Sequence, residues 1–238
     1  MINLHTHTRY SDGGMPMRTL VGRAVEEGIS VLAITDHYEY FLGFRHCRSL
    51  RMLHKLLIHV KEKGISYCSD ISSYFRKIDA LNGIYPINIL AGLEVDLGTL
   101  RLTRRAVSAF SKCGLVLVEN VRTEKDLMWL SWMRCLLPEH VCLAHPWLRG
   151  FDRDYLLDFL ESHNIGLEMN TAWHYGNSLS CGKGFLFEAQ EEIYRGMRGR
   201  RIPLFIGSDA HRKSEPLDTG ATQRFIRAWG LEKNVIFK

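Results

Sequence analysis

The stretch Ile29-Ser30-Val31-Leu32-Ala33-Ile34-Thr35-Asp36-His37 decides the reading of this chain. Ile29 to Thr35 is a short, largely apolar run with several β-branched side chains, preceded by Gly28 and followed at once by an acid and an imidazole. Its length and composition predict a buried strand. Chemically active residues placed directly behind such a strand sit where parallel α/β folds gather their ligands, at the carboxyl end.

Outward from this stretch the arrangement repeats. Runs of the same character are Ile2 to His5, Ile87 to Leu93, Leu115 to Val118, Val141 to Ala144, Gly166 to Met169 and Pro203 to Gly207, each followed by polar or glycine-containing sequence. Helical stretches fill most of the gaps. Pro16 to Gly28 has proline in front, glycine behind and Leu20, Val21, Ala24 and Val25 on one face. Thr123 with Asp126 reads as a capping box before Leu127 to Leu137, and Asp152 as the cap of a helix carrying Tyr155, Leu156, Phe159 and Leu160. This alternation predicts an α/β fold of parallel strands, either a closed barrel or an open doubly wound sheet. Tyr38 to Pro86 is too long for one crossover, and with helical stretches at Leu50 to Val60 and Ile71 to Leu81 it reads as a helical insertion (38–86) within a single domain spanning 1–238.

Metal-competent residues follow one strand after another. His5 and His7, two apart on extended chain, share a face, and Ser11-Asp12-Gly13 adds a carboxylate. His37 ends the second strand, Glu94 the third and His145 the fifth; Glu168 and Asn170 end the sixth, and Asp209 and His211 the seventh. Each alone has a bland reading as a solvated charge or a structural histidine. His46, His54, His59, His140, His163 and His174 fall in helices or loops and are read as structural or exposed. The joint pattern at one end of successive parallel strands predicts a metal centre. Imidazole and carboxylate without thiolate spacing suit zinc, manganese or iron and admit magnesium, and the donor count exceeds the needs of one tetrahedral ion, implying two or three divalent ions. Clustered cations bind anionic substrates and generate hydroxide from water at neutral pH, which suits hydrolysis of a phosphate ester.

The motifs His5-Thr6-His7-Thr8, Ser11-Asp12-Gly13, Ile34-Thr35-Asp36-His37, Gly92-Leu93-Glu94, Ala144-His145-Pro146 and Gly207-Ser208-Asp209-Ala210-His211 resemble, in order and across nearly the whole chain, the PHP (polymerase and histidinol phosphatase) family, closest to its histidinol-phosphatase-like phosphoesterases. The resemblance implies a distorted barrel of seven parallel strands and helices, TIM-barrel-like, with a trinuclear centre. It places His5, His7, Glu94 and Asp209 on the first ion, Glu94 bridging to a second ion bound by His145, and Asp12, His37 and His211 on a third. Glu94, Asp209 and His211 become the catalytic residues, around a hydroxide bridging the first two ions. Arg149 and Arg212, each following a ligand motif, become candidates for phosphate contacts, and Glu168 and Asn170 are expected to orient ligands. One departure stands out. The family places a Ser-x-His motif after the fourth strand, where this chain reads Leu117-Val118-Glu119-Asn120-Val121-Arg122. Either Glu119 substitutes as an oxygen ligand, favouring a harder metal, or the second ion binds weakly.

Composition narrows the field. Of 238 residues, 46% are hydrophobic and 24% charged, which excludes a disordered or disulfide-dominated chain. The net charge of +5 is mild and its one short basic run, Arg198-Gly199-Arg200-Arg201, makes nucleic acid an unlikely partner and a phosphorylated small molecule the expected one. Cys47, Cys68, Cys113, Cys135, Cys142 and Cys181 form no paired motif and are read as reduced thiols. No run approaches membrane-spanning length and no leader precedes the first strand, so a cytoplasmic protein is expected. Two alternatives stay open: an amidohydrolase-type enzyme, which shares the His-x-His strand and late aspartate but would need a lysine ligand, and a degenerate domain that binds metal or a phosphorylated ligand without turnover. Oligomeric state is not encoded in any motif.

Overall fold

The computed structural model describes residues 1–42, 70–101, 103–172 and 184–237. Seven strands, β1 (Ile2–Asn3), β2 (Val31–Ile34), β3 (Asn88–Asp96), β4 (Leu115–Glu119), β5 (His140–Leu143), β6 (Ile165–Asn170) and β7 (Leu204–Gly207), lie side by side in sequence order and all pair in parallel. Beyond Asn3 the first strand turns to the last: Leu4 N–H donates to Ile206 O at 2.7 Å, Asp209 N–H to His5 O at 2.9 Å and His7 N–H to Ala210 O at 3.1 Å. The sheet therefore closes into an α/β barrel, which decides between the two architectures the alternation permits. This change of partner also explains why the regular part of β1 stops at Asn3, short of the predicted His5.

Between the strands run α1 (Met17–Glu26), α2 (Glu39–Leu42), α3 (Ile71–Asn82), α4 (Arg104–Phe110), α5 (Glu124–Met133), α6 (Arg153–His163) and α7 (Glu191–Gly196), and α8 (Ala221–Trp229) follows β7. Their ends follow local chemistry. Pro16 precedes α1 and Gly28, at φ +72, follows it in the left-handed region that glycine enters without a Cβ penalty. The capping box of Thr123 and Asp126 opens α5, and the Asp152 side chain accepts from Tyr155 N–H at the start of α6. Ile71 to Leu81 is helical as predicted, while the helix expected over Leu50 to Val60 lies outside the described residues. None of the described helices is long and apolar enough to cross a membrane.

Alternation along each strand sorts side chains between two apolar layers. On β4, Leu115 and Leu117 join the small core inside the barrel with Leu4, Ala33, Cys142, Ala144 and Phe205, whereas Val116 and Val118 face the helices. The inward register continues past the apolar part: Leu115 and Leu117 lead to Glu119, Ala33 to His37, and Phe205 to Asp209, so polar side chains cap the barrel interior at its carboxyl end. Small residues keep that interior closed, since a Cβ on Gly166 would meet the Phe205 ring at 2.5 Å.

Candidate metal centre

Closure brings the strand-end residues into one cluster. His5 Nε2 lies 3.0 Å from His7 Nε2, and Asp209 Oδ1 lies 3.3 Å from the former and 3.1 Å from the latter. Glu94 sits at the middle. Its Oε2 is 3.4 Å from His5 Nε2, 3.3 Å from His7 Nε2 and 3.2 Å from His37 Nδ1, while Oε1 is 2.9 Å from His145 Nε2. Asp12 joins from the loop after β1, 3.2 Å from His211 Nε2 and 3.5 Å from His37 Nε2. His5, His7, His37, Glu94 and Asp209 are at most 2% exposed, whereas Asp12 and His211 are 18% and 22% exposed, so the cluster opens to solvent on their side.

Hydrogen bonds around the cluster fix which ring nitrogens face inward. Glu168 Oε1 holds His5 Nδ1 at 2.8 Å and thereby turns the Nε2 lone pair toward His7; Glu168 Oε2 accepts from the His145 backbone N–H at 2.5 Å. The Asp209 carbonyl, 2.8 Å from His211 Nδ1, can only accept, so that nitrogen carries the proton and Nε2 is left toward Asp12. Left-handed backbone at His145 (φ 30), Asp209 (φ 52) and Asn120 (φ 64) marks three of the strand ends and re-aims the side chains there.

The donors fall into four groups whose ligand atoms lie within 4.8 Å of one another: His7, Asp12, His37 and His211; His5, His7 and Asp209; His5, Glu94 and His145; and His37, Glu94 and Glu119. His5, His7, His37 and Glu94 each stand in two groups, a sharing that motif order alone does not convey. Glu119 points inward as its strand register dictates, with Oε1 buried, 3.9 Å from His37 Nδ1 and outside any hydrogen bond. A buried carboxylate oxygen aimed at imidazoles and a second carboxylate fits a cation. Electrostatics agree. Burial alone would hold the His7 imidazole down, yet hydrogen bonds to Asp209 and Glu94 push it up to about 10. Against the opposing effect of burial, the imidazoles keep Glu94, Asp12 and Asp209 well below the usual carboxylate range. Such mutual demand for opposite charge is what divalent ions satisfy, with release of the ring protons.

Both arginines are exposed. The Arg149 guanidinium lies 5.2 Å from the centre of the Trp147 ring, and Arg212 enters a turn in which Glu215 Oε2 accepts from the N–H groups of His211 and Arg212. Asn170 turns to the backbone, accepting from Ala172 N–H, rather than to a ligand. Of the histidines read as structural, His140 packs edge-on against Phe237 and His163 stacks on Phe159; His46, His54, His59 and His174 lie outside the described residues. Two residues support the cluster from behind, Asp36, which was read at a strand end among the metal-competent residues, and Gln190, which escaped the sequence reading. Asp36 does not face the cluster but accepts from Thr8 N–H, Thr8 Oγ1, Ser11 N–H and Ser11 Oγ, shaping the loop that presents Asp12. Gln190 accepts from Leu148 N–H and donates to Pro146 O, pinning the loop behind His145.

The PHP domain pattern matches residues 3–131, more than half of the chain. The chain belongs to the PHP domain family. A curated relative of this PHP domain is the DNA polymerase/3'-5' exonuclease PolX of Bacillus subtilis (strain 168), 25% identical over 98% of the chain; the chain spans only 38% of that relative's length. Among solved structures the PHP domain is similar to histidinol phosphate phosphatase from Lactococcus lactis subsp. lactis, solved with zinc, L-histidinol and phosphate, with 15% identity, a TM-score of 0.59 and coverage of 96% of this chain and 93% of that one. It is also similar to a putative histidinol phosphatase from Listeria monocytogenes at 14% identity and a TM-score of 0.55, covering 89% of this chain and 96% of that one. At these identities the likeness speaks for the barrel fold.

Proposed function

We propose that this PHP domain is a metal-dependent phosphoesterase acting on a small phosphorylated molecule. The observation that carries the reading is the convergence of His5, His7, Asp12, His37, Glu94, His145, Asp209 and His211 at one barrel end, with their ring nitrogens oriented inward. His5, His7 and Asp209 with Glu94 would hold one ion, Glu94, His145 and Glu119 a second, and Asp12, His37 and His211 a third. Bound there, divalent ions would lower the pKa of water and neutralise phosphoryl oxygens.

The chain's own residues supply the rest. Asp209 Oδ1, 3.1–3.4 Å from ring nitrogens of His5, His7 and His211, is placed to take the proton of an attacking water. His211, the most exposed of the imidazoles in the cluster, stands on its solvent side, where Nε2 beside Asp12 would help hold an ion next to the entering phosphate. Arg149 and Arg212 would meet the remaining phosphate charge. The zinc, L-histidinol and phosphate of the Lactococcus neighbour favour a phosphomonoester, and the polymerase-exonuclease relative keeps diesters in the test panel.

The test is phosphate release from a panel of phosphomonoesters, histidinol phosphate included, and phosphodiesters by protein reconstituted separately with manganese, zinc and magnesium. Turnover with two or more ions per chain, reduced at least 100-fold in His7→Ala and Asp209→Asn, is expected; turnover unaffected by these changes would sink the proposal. The replacement of the family histidine by Glu119 favours one second reading, a ligand-binding domain without catalysis, for which the signature is fewer than two ions per chain and no hydrolysis with any metal.

A further inference from the structure

The amino end of the barrel carries a second concavity, remote from the metal-competent cluster. A cleft of about 750 Å³ lies beside the start of β7, between the turn over 198–203 and the segment 230–236 that follows α8. That volume is typical of small-molecule sites, roughly 300–1,000 Å³. Ile202, Pro203, Val235 and Ile236 give it an apolar floor. Around the floor stand Arg198, Arg201 and Lys233, exposed and in no ion pair among the described residues. Arg200 is neutralised, 2.5 Å from Asp158 and 3.5 Å from Glu161, and Glu232 is the only acid among the described lining residues, so two positive charges remain uncompensated.

The walls are held in place. Asn234 is buried, and its amide donates to Met197 O at 3.4 Å, Arg200 O at 3.0 Å and Ile202 O at 2.9 Å, tying the basic turn to the C-terminal segment through one side chain. Leu204 N–H donates to Asn234 O at 2.8 Å, which anchors both to the barrel. Gly230 leaves room for the basic side chain above it: a Cβ there would come within 3.1 Å of Arg198 Nε. With the backbone that carries these cations braced, binding of an anion has only side chains left to order, which lowers its cost. Guanidinium forks and an ammonium over an apolar floor suit phosphate groups joined to an organic body. A cleft of this size favours a small molecule over a nucleic-acid strand, which needs a groove several nucleotides long.

We infer that this cleft binds a small organic polyphosphate at a site separate from the metal centre. The inference does not rest on the phosphoesterase reading. The test is calorimetric titration of metal-loaded protein with inorganic pyrophosphate as probe, in parallel with citrate and a dodecathymidylate. Three proteins are compared: wild type, the triple variant Arg198→Ala/Arg201→Ala/Lys233→Ala, and Asp209→Asn. The expected result is a binding event that survives Asp209→Asn, weakens at least tenfold in the triple variant and is much weaker for citrate. Lys233→Glu, a change of one exposed side chain, should weaken it in the same direction without altering the melting curve. Unchanged pyrophosphate binding in both cleft variants would overturn the proposal. So would citrate binding as tightly as pyrophosphate, or preferential binding of the oligonucleotide through the same residues.

Discussion

Glu168 touches His5 through one oxygen and the His145 backbone through the other, so it fixes two ligand-bearing positions. Residues of this kind set the orientation of ligands, and their loss typically costs about 10–100-fold in metal affinity. Glu168→Ala is therefore expected to lower zinc affinity within that range in a competition titration while leaving the far-ultraviolet spectrum intact. A second residue acts on stability. Glu39 is fully buried, and burial, aided by the charge of Glu119, pushes its carboxyl from 4.5 up to about 8. Its Oε1 accepts from Asp96 N–H at 2.9 Å and from Thr99 Oγ1. Because the folded state holds this proton more tightly than the unfolded state, the stabilisation is complete below about pH 4.5 and is lost as pH rises through about 8. Glu39→Gln keeps the Oε1 acceptor and cannot ionise, so its urea midpoint should fall less than that of the wild type between pH 5 and pH 9, a difference on the order of a few kcal/mol; equal falls would disprove the assignment. At this scale the sequence was legible where a residue's place in the cluster follows from its position at a strand end, as for Glu94 and Asp209. It was illegible for Asp36, which takes hydroxyl and backbone donors, and for Gln190, which takes backbone groups, because these partners come close only in the finished fold.

At the scale of elements, the strands were readable because each buried run is apolar, and their ends were blurred because hydrogen bonding continues into the polar residues behind them, as β3 does to Asp96. Inward register is what links a strand to its ligand: Leu115 and Leu117 commit Glu119 to the interior and send Asn120 elsewhere, to the Asp96 side chain at 2.8 Å. That register brings the Glu119 carboxylate to 3.9 Å from His37 Nδ1, within the cluster. Gly207 shows how tightly β7 meets its neighbours. A Cβ there would lie 2.5 Å from His5 Cβ and closer still to Glu168 Oε1. Gly207→Ala should push Glu168 away from His5 and destabilise the barrel by about 1–3 kcal/mol, as overpacked cores do. Urea denaturation and metal titration of the same variant would both have to change; a shift in neither would contradict this packing.

The whole molecule is a ring whose ends meet at the metal-competent cluster. Donors from the loops and ends of β1, β2, β3, β4, β5 and β7 converge there, so any ion held by them ties together strands from most of the barrel. A ligand present at 100 times its Kd stabilises a folded protein by about 2.7 kcal/mol, and treatment with a strong chelator should accordingly lower the melting temperature by several degrees. An unchanged melting curve on chelation would argue against bound ions as part of the fold. Sequence alternation left open whether the sheet closes, because closure depends on hydrogen bonds between segments from the two ends of the chain. That seam has a kinetic consequence. Strand order follows chain order, so the pairings from β1–β2 to β6–β7 join strands consecutive in the chain, while Leu4 with Ile206 and His7 with Ala210 join residues some 200 positions apart. Contacts so distant bear the largest loop-closure entropy and form late. His5 and His7 on one side of the seam and Asp209 and His211 on the other come together only when it zips, so during refolding ion uptake would track completion of the barrel rather than its initiation.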